Sequence, residues 1–97
     1  MYAIAIIRYR KPLEQVLAAQ DDHRAYLRSL KASGILLVSG PMDPRSGGIL
    51  VLRLPDGASD EDLNRIRDED PFTRLGLAQY ELVRWVPVIG KEDLDRL

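Results

Sequence analysis

Proton transfer near neutral pH has one obvious carrier in this sequence: His23, the only histidine among 97 residues. Imidazole titrates closest to neutrality of any side chain, so it can serve as base or acid without large perturbation. A carboxylate beside the ring would hold its tautomer and balance the charge of the imidazolium. Asp70, immediately before Pro71, is the candidate partner, and Asp68 and Glu69 compete for the role. Plainer readings stand beside these. His23 can be a core histidine satisfied by one hydrogen bond, because buried polar groups normally find partners. Asp-Pro is a frequent way to end a helix.

A small-molecule site needs more than a proton carrier. Arg8 closes a run of apolar strand residues and is the candidate anchor for an anionic group, or else a solvated edge charge. Ser39-Gly40-Pro41 reads as a turn in which the glycine would admit a ligand close to the backbone. Phe72 is a candidate wall of the same site, although Phe72 and Trp85 fit packing or subunit contacts better than stacking platforms. Candidate substrate contacts are therefore Arg8, Ser39, Gly40, Pro41 and Phe72, around the catalytic candidates His23 and Asp70.

Composition removes several classes of chemistry. The 14 basic residues are scattered among 15 acidic ones, for a formal net charge of −1. No basic stripe exists to follow a phosphate backbone, so nucleic acid is not an expected partner. There are no cysteines, which excludes disulfides, a thiolate nucleophile and cysteine-based zinc sites. A single histidine argues against a histidine metal site, and no metal or organic cofactor is expected. The opening Met1-Tyr2-Ala3-Ile4-Ala5-Ile6-Ile7 is apolar but is followed by Arg8 and Arg10, the reverse order of a secretion signal. No apolar run approaches the roughly 18 residues that span a bilayer. A cytoplasmic protein without membrane contact is the expectation.

The elements that must position these side chains follow from periodicity. The length suits one domain. Residues 2–9, rich in Ile and aromatic side chains, predict a strand that is apolar on both faces: Tyr2, Ile4 and Ile6 on one, Ala3, Ala5 and Ile7 on the other. From 14 to 33 the period becomes helical, with Val16, Ala19, His23, Leu27 and Leu30 on one stripe and Gly34 as the stop. Residues 35–39 and 48–54 predict two further strands around a turn-rich 40–47 segment. Ser59 followed by three acids predicts a helix over 59–69, which must end before Pro71. A fourth strand is expected over 78–86, and 88–97 is a tail with one possible helical turn after Gly90.

The order β-α-β-β-α-β defines a ferredoxin-like α+β domain with a four-stranded antiparallel sheet and both helices on one face. One domain over 1–97 is expected, with its core in 1–87. Two helices cover one face only, yet the strands are apolar on both, so a second copy packed sheet to sheet is the simplest cover. This topology also gathers Arg8, the start of the first helix, the Ser39-Gly40-Pro41 turn and Asp70-Pro71-Phe72 at one end of the sheet.

At these residues the chain resembles the YciI-like proteins, a branch of the dimeric α/β-barrel superfamily. The marks are His23 followed by Tyr26-Leu27 and Leu30, then Gly34, Ser39-Gly40-Pro41, Gly47-Gly48, Asp70-Pro71-Phe72 and Gly76, in order from Met1 to about Pro87. The resemblance implies a homodimer, a small-molecule ligand and a site in which His23 pairs with Asp70. One branch of the family carries out dehydrochlorination of a chlorinated hydroxyquinol, and related barrels include muconolactone isomerases and haem- or quinone-handling oxygenases. Analogy of fold does not choose among these reactions. The connection Arg10-Lys11-Pro12-Leu13 is short, so contacts that a longer segment makes in relatives have no counterpart here.

Two functions fit. One is a cofactor-independent lyase or isomerase that moves a proton on a small aromatic or cyclic anionic compound, with His23 as base, Asp70 orienting it and Arg8 holding an anionic group. The other is a non-catalytic dimeric module that binds a small molecule or a partner, with His23–Asp70 as a structural hydrogen bond. An open cavity at the imidazole separates them.

Overall fold

Alternation along the first strand decides which way the sheet faces. In the computed structural model, which describes residues 1–97, β1 (Tyr2–Tyr9) sends Ala3, Ala5 and Ile7 to one side, where none is more than 2% exposed. The helices cover that side. β1 pairs antiparallel with β3 (Gly47–Arg53) and with β4 (Ala78–Trp85), and β2 (Leu36–Pro41) pairs antiparallel with β3, giving the order β2-β3-β1-β4. This is the ferredoxin-like α+β arrangement.

The segment expected as one helix over 14–33 is two: α1 (Leu13–Ala18) and α2 (Gln20–Ala32), separated at Ala19, where φ is −104° and ψ is 4°. The Ala19 N–H bonds the Val16 carbonyl at 3.1 Å, closing α1 with a tight last turn. Nothing local announces the break, since alanine is the strongest helix former. The apolar stripe keeps its direction across it: Val16, Ala19, Leu27 and Leu30 are all buried.

β2 begins at Leu36 and carries a bulge. Leu36 lies opposite Leu52, but Val38 lies opposite Val51, so one extra residue is inserted and the parity changes. Ser39 opposite Leu50 and Pro41 opposite Gly48 are thereby turned to the helix-covered side. At the start of β3, a Cβ on Gly47 would lie 1.8 Å from the Ile7 carbonyl oxygen. Only glycine permits the two strands to approach so closely there.

After β3, α3 (Asp60–Glu69) starts with a capping box: the Ser59 hydroxyl accepts from the Asp62 N–H at 3.2 Å and the Asp62 carboxylate accepts from the Ser59 N–H at 2.9 Å. A single unexpected turn, α4 (Pro71–Arg74), follows with Asp70 as its N-cap and proline at its first position. The tail forms α5 (Lys91–Asp95), tied to the sheet by Tyr2, whose hydroxyl donates to Asp95, and by Arg53, which donates to the Asp95 and Leu97 carbonyl oxygens. No helix is long and apolar enough to cross a membrane.

The opposite face of the sheet carries none of α1 to α4; α5 meets it only at one end, through Tyr2 and Arg53, and the rest of the face is helix-free. Ile4 and Ile6 of β1, Ile49 and Val51 of β3, and Val83 and Trp85 of β4 share it by register. None of these six is buried, and Ile49, Val83 and Trp85 are each at least 40% exposed.

Candidate active site

α2 places His23 between Ala19 and Leu27 on its buried stripe, so the imidazole points at the end of the sheet rather than into solvent. Asp70 arrives there because α3 ends at Glu69, two residues before Pro71, and the chain must turn. It is the C-cap of α3 and the N-cap of α4 at once, in extended conformation. Its Oδ1 accepts the Phe72 N–H at 2.9 Å and the His23 Nδ1–H at 2.8 Å. Its Oδ2 accepts the Tyr80 hydroxyl. Asp70 is 0% exposed and is the one charged side chain inside the core.

Against an ionised carboxylate, which offers lone pairs only, Nδ1 carries the hydrogen and Nε2 keeps a free electron pair. Nε2 has no hydrogen-bond partner in the chain. The sole buried side-chain nitrogen or oxygen without a partner is Thr73 Oγ1, so Nε2 reaches accessible space. The ring lies against Phe72, with centroids 3.9 Å apart and planes 4° apart. Burial, then the charge of Asp70 and the hydrogen bond to it, hold the Tyr80 proton on well above the ordinary phenol range. Burial, then the charges of Glu69 and Asp70, do the same for Tyr26, whose hydroxyl donates to the Ile66 carbonyl at 2.7 Å and braces the last turn of α3.

A cavity of about 200 Å³ opens beside His23. Ile7, Leu27, Leu50 and Phe72 give it apolar walls, and Ser39, Gly40, Pro41 and Gly48 give it a floor of strand backbone with few side chains. Gln20, Arg24 and Arg45 complete it, and no Asp or Glu lines it. Arg45, from the loop between β2 and β3, is held by the Gln20 Oε1 and, at 3.5 Å, by the Tyr9 hydroxyl; Tyr9 in turn packs edge-on against Phe72. Both arginines lack a carboxylate partner, so their charge is left for whatever enters. No group of three or more His, Asp or Glu side chains is arranged to hold a metal ion.

The structure thus brings together His23, Asp70, Ser39, Gly40, Pro41 and Phe72, and leaves Arg8 out. Arg8 stands on the same side of β1 as Ile4 and Ile6, on the helix-free face, where it pairs with Glu81 at 2.8 Å. Parity is the reason: the cavity is lined from the Ile7 side. The cations at the cavity are instead Arg24, one residue after His23, and Arg45. Sequence reasoning also passed over Tyr80. A tyrosine at an inward strand position was its signal, because a buried phenol needs a partner for its hydroxyl.

The comparisons with known proteins agree with this architecture. The family model for the YCII-related domain matches residues 1–86, and the chain belongs to that family. No curated protein sequence matches it. Among solved structures it is similar to the 5-chloro-2-hydroxyhydroquinone dehydrochlorinase TftG from Burkholderia phenoliruptrix, determined in complex with 2,5-dihydroxybenzoquinone. The two are 26% identical, the match covers 92% of this chain and 97% of that one, and the TM-score is 0.76.

Proposed function

We propose that the protein is a small-molecule enzyme that moves a proton on a single-ring, anionic phenol-type compound, with no cofactor, in a lyase or isomerase reaction. The observation that carries this reading is the free Nε2 of His23, oriented by Asp70 and open to a cavity. Imidazole in that state takes a proton from a ring hydroxyl or an acidic ring carbon. The electron pair left behind forms a new C=O bond while a ring carbon takes a proton; where that carbon carries a halide, loss of a second ring-hydroxyl proton forms a second C=O bond as the halide departs with its bonding pair. Asp70 balances the imidazolium meanwhile. The dehydrochlorination and quinone complex named for the similar structure are chemistry of this kind.

Size and charge limit the substrate. An apolar cavity of roughly 150 Å³ holds benzene, so the space here suits one ring with small substituents. Arg24 and Arg45 would take the anionic group, in the role expected of Arg8. We also propose that the helix-free sheet face is covered by a second copy of the chain. Its apolar residues from three strands are the support, since isolated subunits rarely expose so continuous a patch.

The test is a panel of chlorinated and hydroxylated benzenes and benzoates, scored for chloride release and for quinone absorbance, with wild type beside His23→Gln. Turnover that needs His23 is the expected result. Turnover undiminished in His23→Gln removes the base. Saturable binding with no chemistry across the panel turns the assignment to a binding module.

A further inference from the structure

Tyr80 enters the site from behind. It lies on β4 opposite Ile7, on the helix-covered side of the sheet, is 7% exposed, and donates to Asp70 Oδ2. His23 and the Phe72 N–H both use the other oxygen, Oδ1. Tyr80 is therefore the sole partner of Oδ2, on a carboxylate with no solvent exposure. We propose that Tyr80 is a positioning residue: by donating to Oδ2 it keeps Asp70 ionised with Oδ1 toward His23, and so places the imidazole hydrogen on Nδ1 and a bare Nε2 at the cavity.

The charge state of Asp70 and the tautomer of His23 are one choice. Desolvation drives a buried carboxylate toward its neutral acid, and hydrogen bonds to the charged form oppose this. A neutral Asp70 would have a hydrogen to give, and His23 Nδ1 is in reach to accept it. The ring would then carry its own hydrogen on Nε2, where a base needs a lone pair. Removing the Tyr80 hydroxyl strips Oδ2 of its only donor. Asp70 then takes one proton from solvent, donates it to Nδ1, and Nε2–H replaces the lone pair.

The phenol nearest this cluster offers no substitute donor. The other ionisable groups acting on this cluster are Tyr26 of α2, Glu69 of α3 and Arg74 of α4. The Tyr26 hydroxyl is already spent on the Ile66 carbonyl, and Arg74 donates to the Asp68 carbonyl. Nor does Tyr80 lose its proton under ordinary conditions, since burial and Asp70 retain it.

The use of Nε2 as a base rests on the function proposed above, whereas the tautomer is measurable without substrate. Nitrogen-15 NMR of the lone histidine is compared in wild type and Tyr80→Phe, at a pH where the wild-type ring is neutral. Wild type should show Nδ1 protonated and Nε2 bare, and Tyr80→Phe should show the reverse. Turnover in Tyr80→Phe should fall about 10²- to 10⁴-fold, the range that loss of a general base costs. The same tautomer in both proteins overturns the proposal, as does Nε2–H in neutral wild type. If Tyr80→Phe does not fold, wild type alone decides: a downfield, slowly exchanging Tyr80 hydroxyl proton supports the contact, and its absence overturns it. The expected tautomers with no turnover on any panel compound support the role of Tyr80 while removing the enzyme.

Discussion

The imidazole of His23 and the ring of Phe72 are parallel to within 4° at 3.9 Å, and the imidazole's Nδ1 edge is bound at 2.8 Å to Asp70. One face and one edge of the ring are thus occupied, and the Nε2 edge is the one left for chemistry. A ring so confined has few orientations left to it.

Phe72→Leu should keep the fold but let the ring tilt. The expected result is a fall in turnover of about ten- to a hundredfold, since small misplacements of reacting groups are costly. Stability should fall by about 1–2 kcal/mol, from a lost aromatic contact and some lost area. Urea unfolding and the ring-current shift of the His23 protons measure the two effects.

Asp70→Asn should damage stability and activity together. The amide oxygen can keep the two donors that meet Oδ1, but its nitrogen has no lone pair for the Tyr80 hydroxyl. Leaving buried groups unpaired costs about 1–3 kcal/mol, and a misoriented base about 10²- to 10⁴-fold in turnover. His23→Gln should match the activity loss at a smaller cost in stability, because His23 is 12% exposed and Asp70 is not exposed at all. Denaturant titration and kcat on the same samples separate the cases.

Light scattering at micromolar concentration should give a mass near twice 11.0 kDa. Ile6→Asp puts a charge on the helix-free face beside Ile49 and Glu81, and should return the monomer mass with unchanged far-ultraviolet dichroism. A wild-type mass of 11.0 kDa across that range would refute the proposed pairing of sheets.

Alkali should unfold the protein through its buried phenols. Tyr26 and Tyr80 are both raised above the ordinary tyrosine value. In the unfolded chain they lose protons near pH 10, while the folded chain retains them. The unfolded state then binds fewer protons, so stability is full below about pH 10 and falls as pH rises further. Urea midpoints measured from pH 8 to 11 should drop at the top of that range, and Tyr80→Phe should drop less steeply.

Much of this architecture is legible in the residues, because burial imposes period. The stripe Val16, Ala19, His23, Leu27, Leu30 aims the histidine, and Asp70-Pro71 ends a helix where the chain must turn. The break at Ala19 was illegible, since alanine there is compatible with an unbroken helix. The β2 bulge was illegible too, because Leu36-Leu37-Val38 is apolar throughout and alternation cannot show where parity slips. Arg8 was legible and misjudged: counting from Ala3, Ala5 and Ile7 already places it on the other face. Arg45 comes to the cavity through a loop, whose course depends on contacts with Gln20 and Tyr9 that have no periodic signal.

The pairing of His23 with Asp70 spans 47 residues, and Tyr80 lies ten further on, in the last strand. That strand docks along β1, the first strand of this domain. During synthesis the histidine therefore emerges before its partners, as an ordinary, unheld side chain. The full set of contacts around Asp70 forms only when the final strand closes against the initial one. A half-made or locally unzipped chain carries the histidine without the partners that hold it.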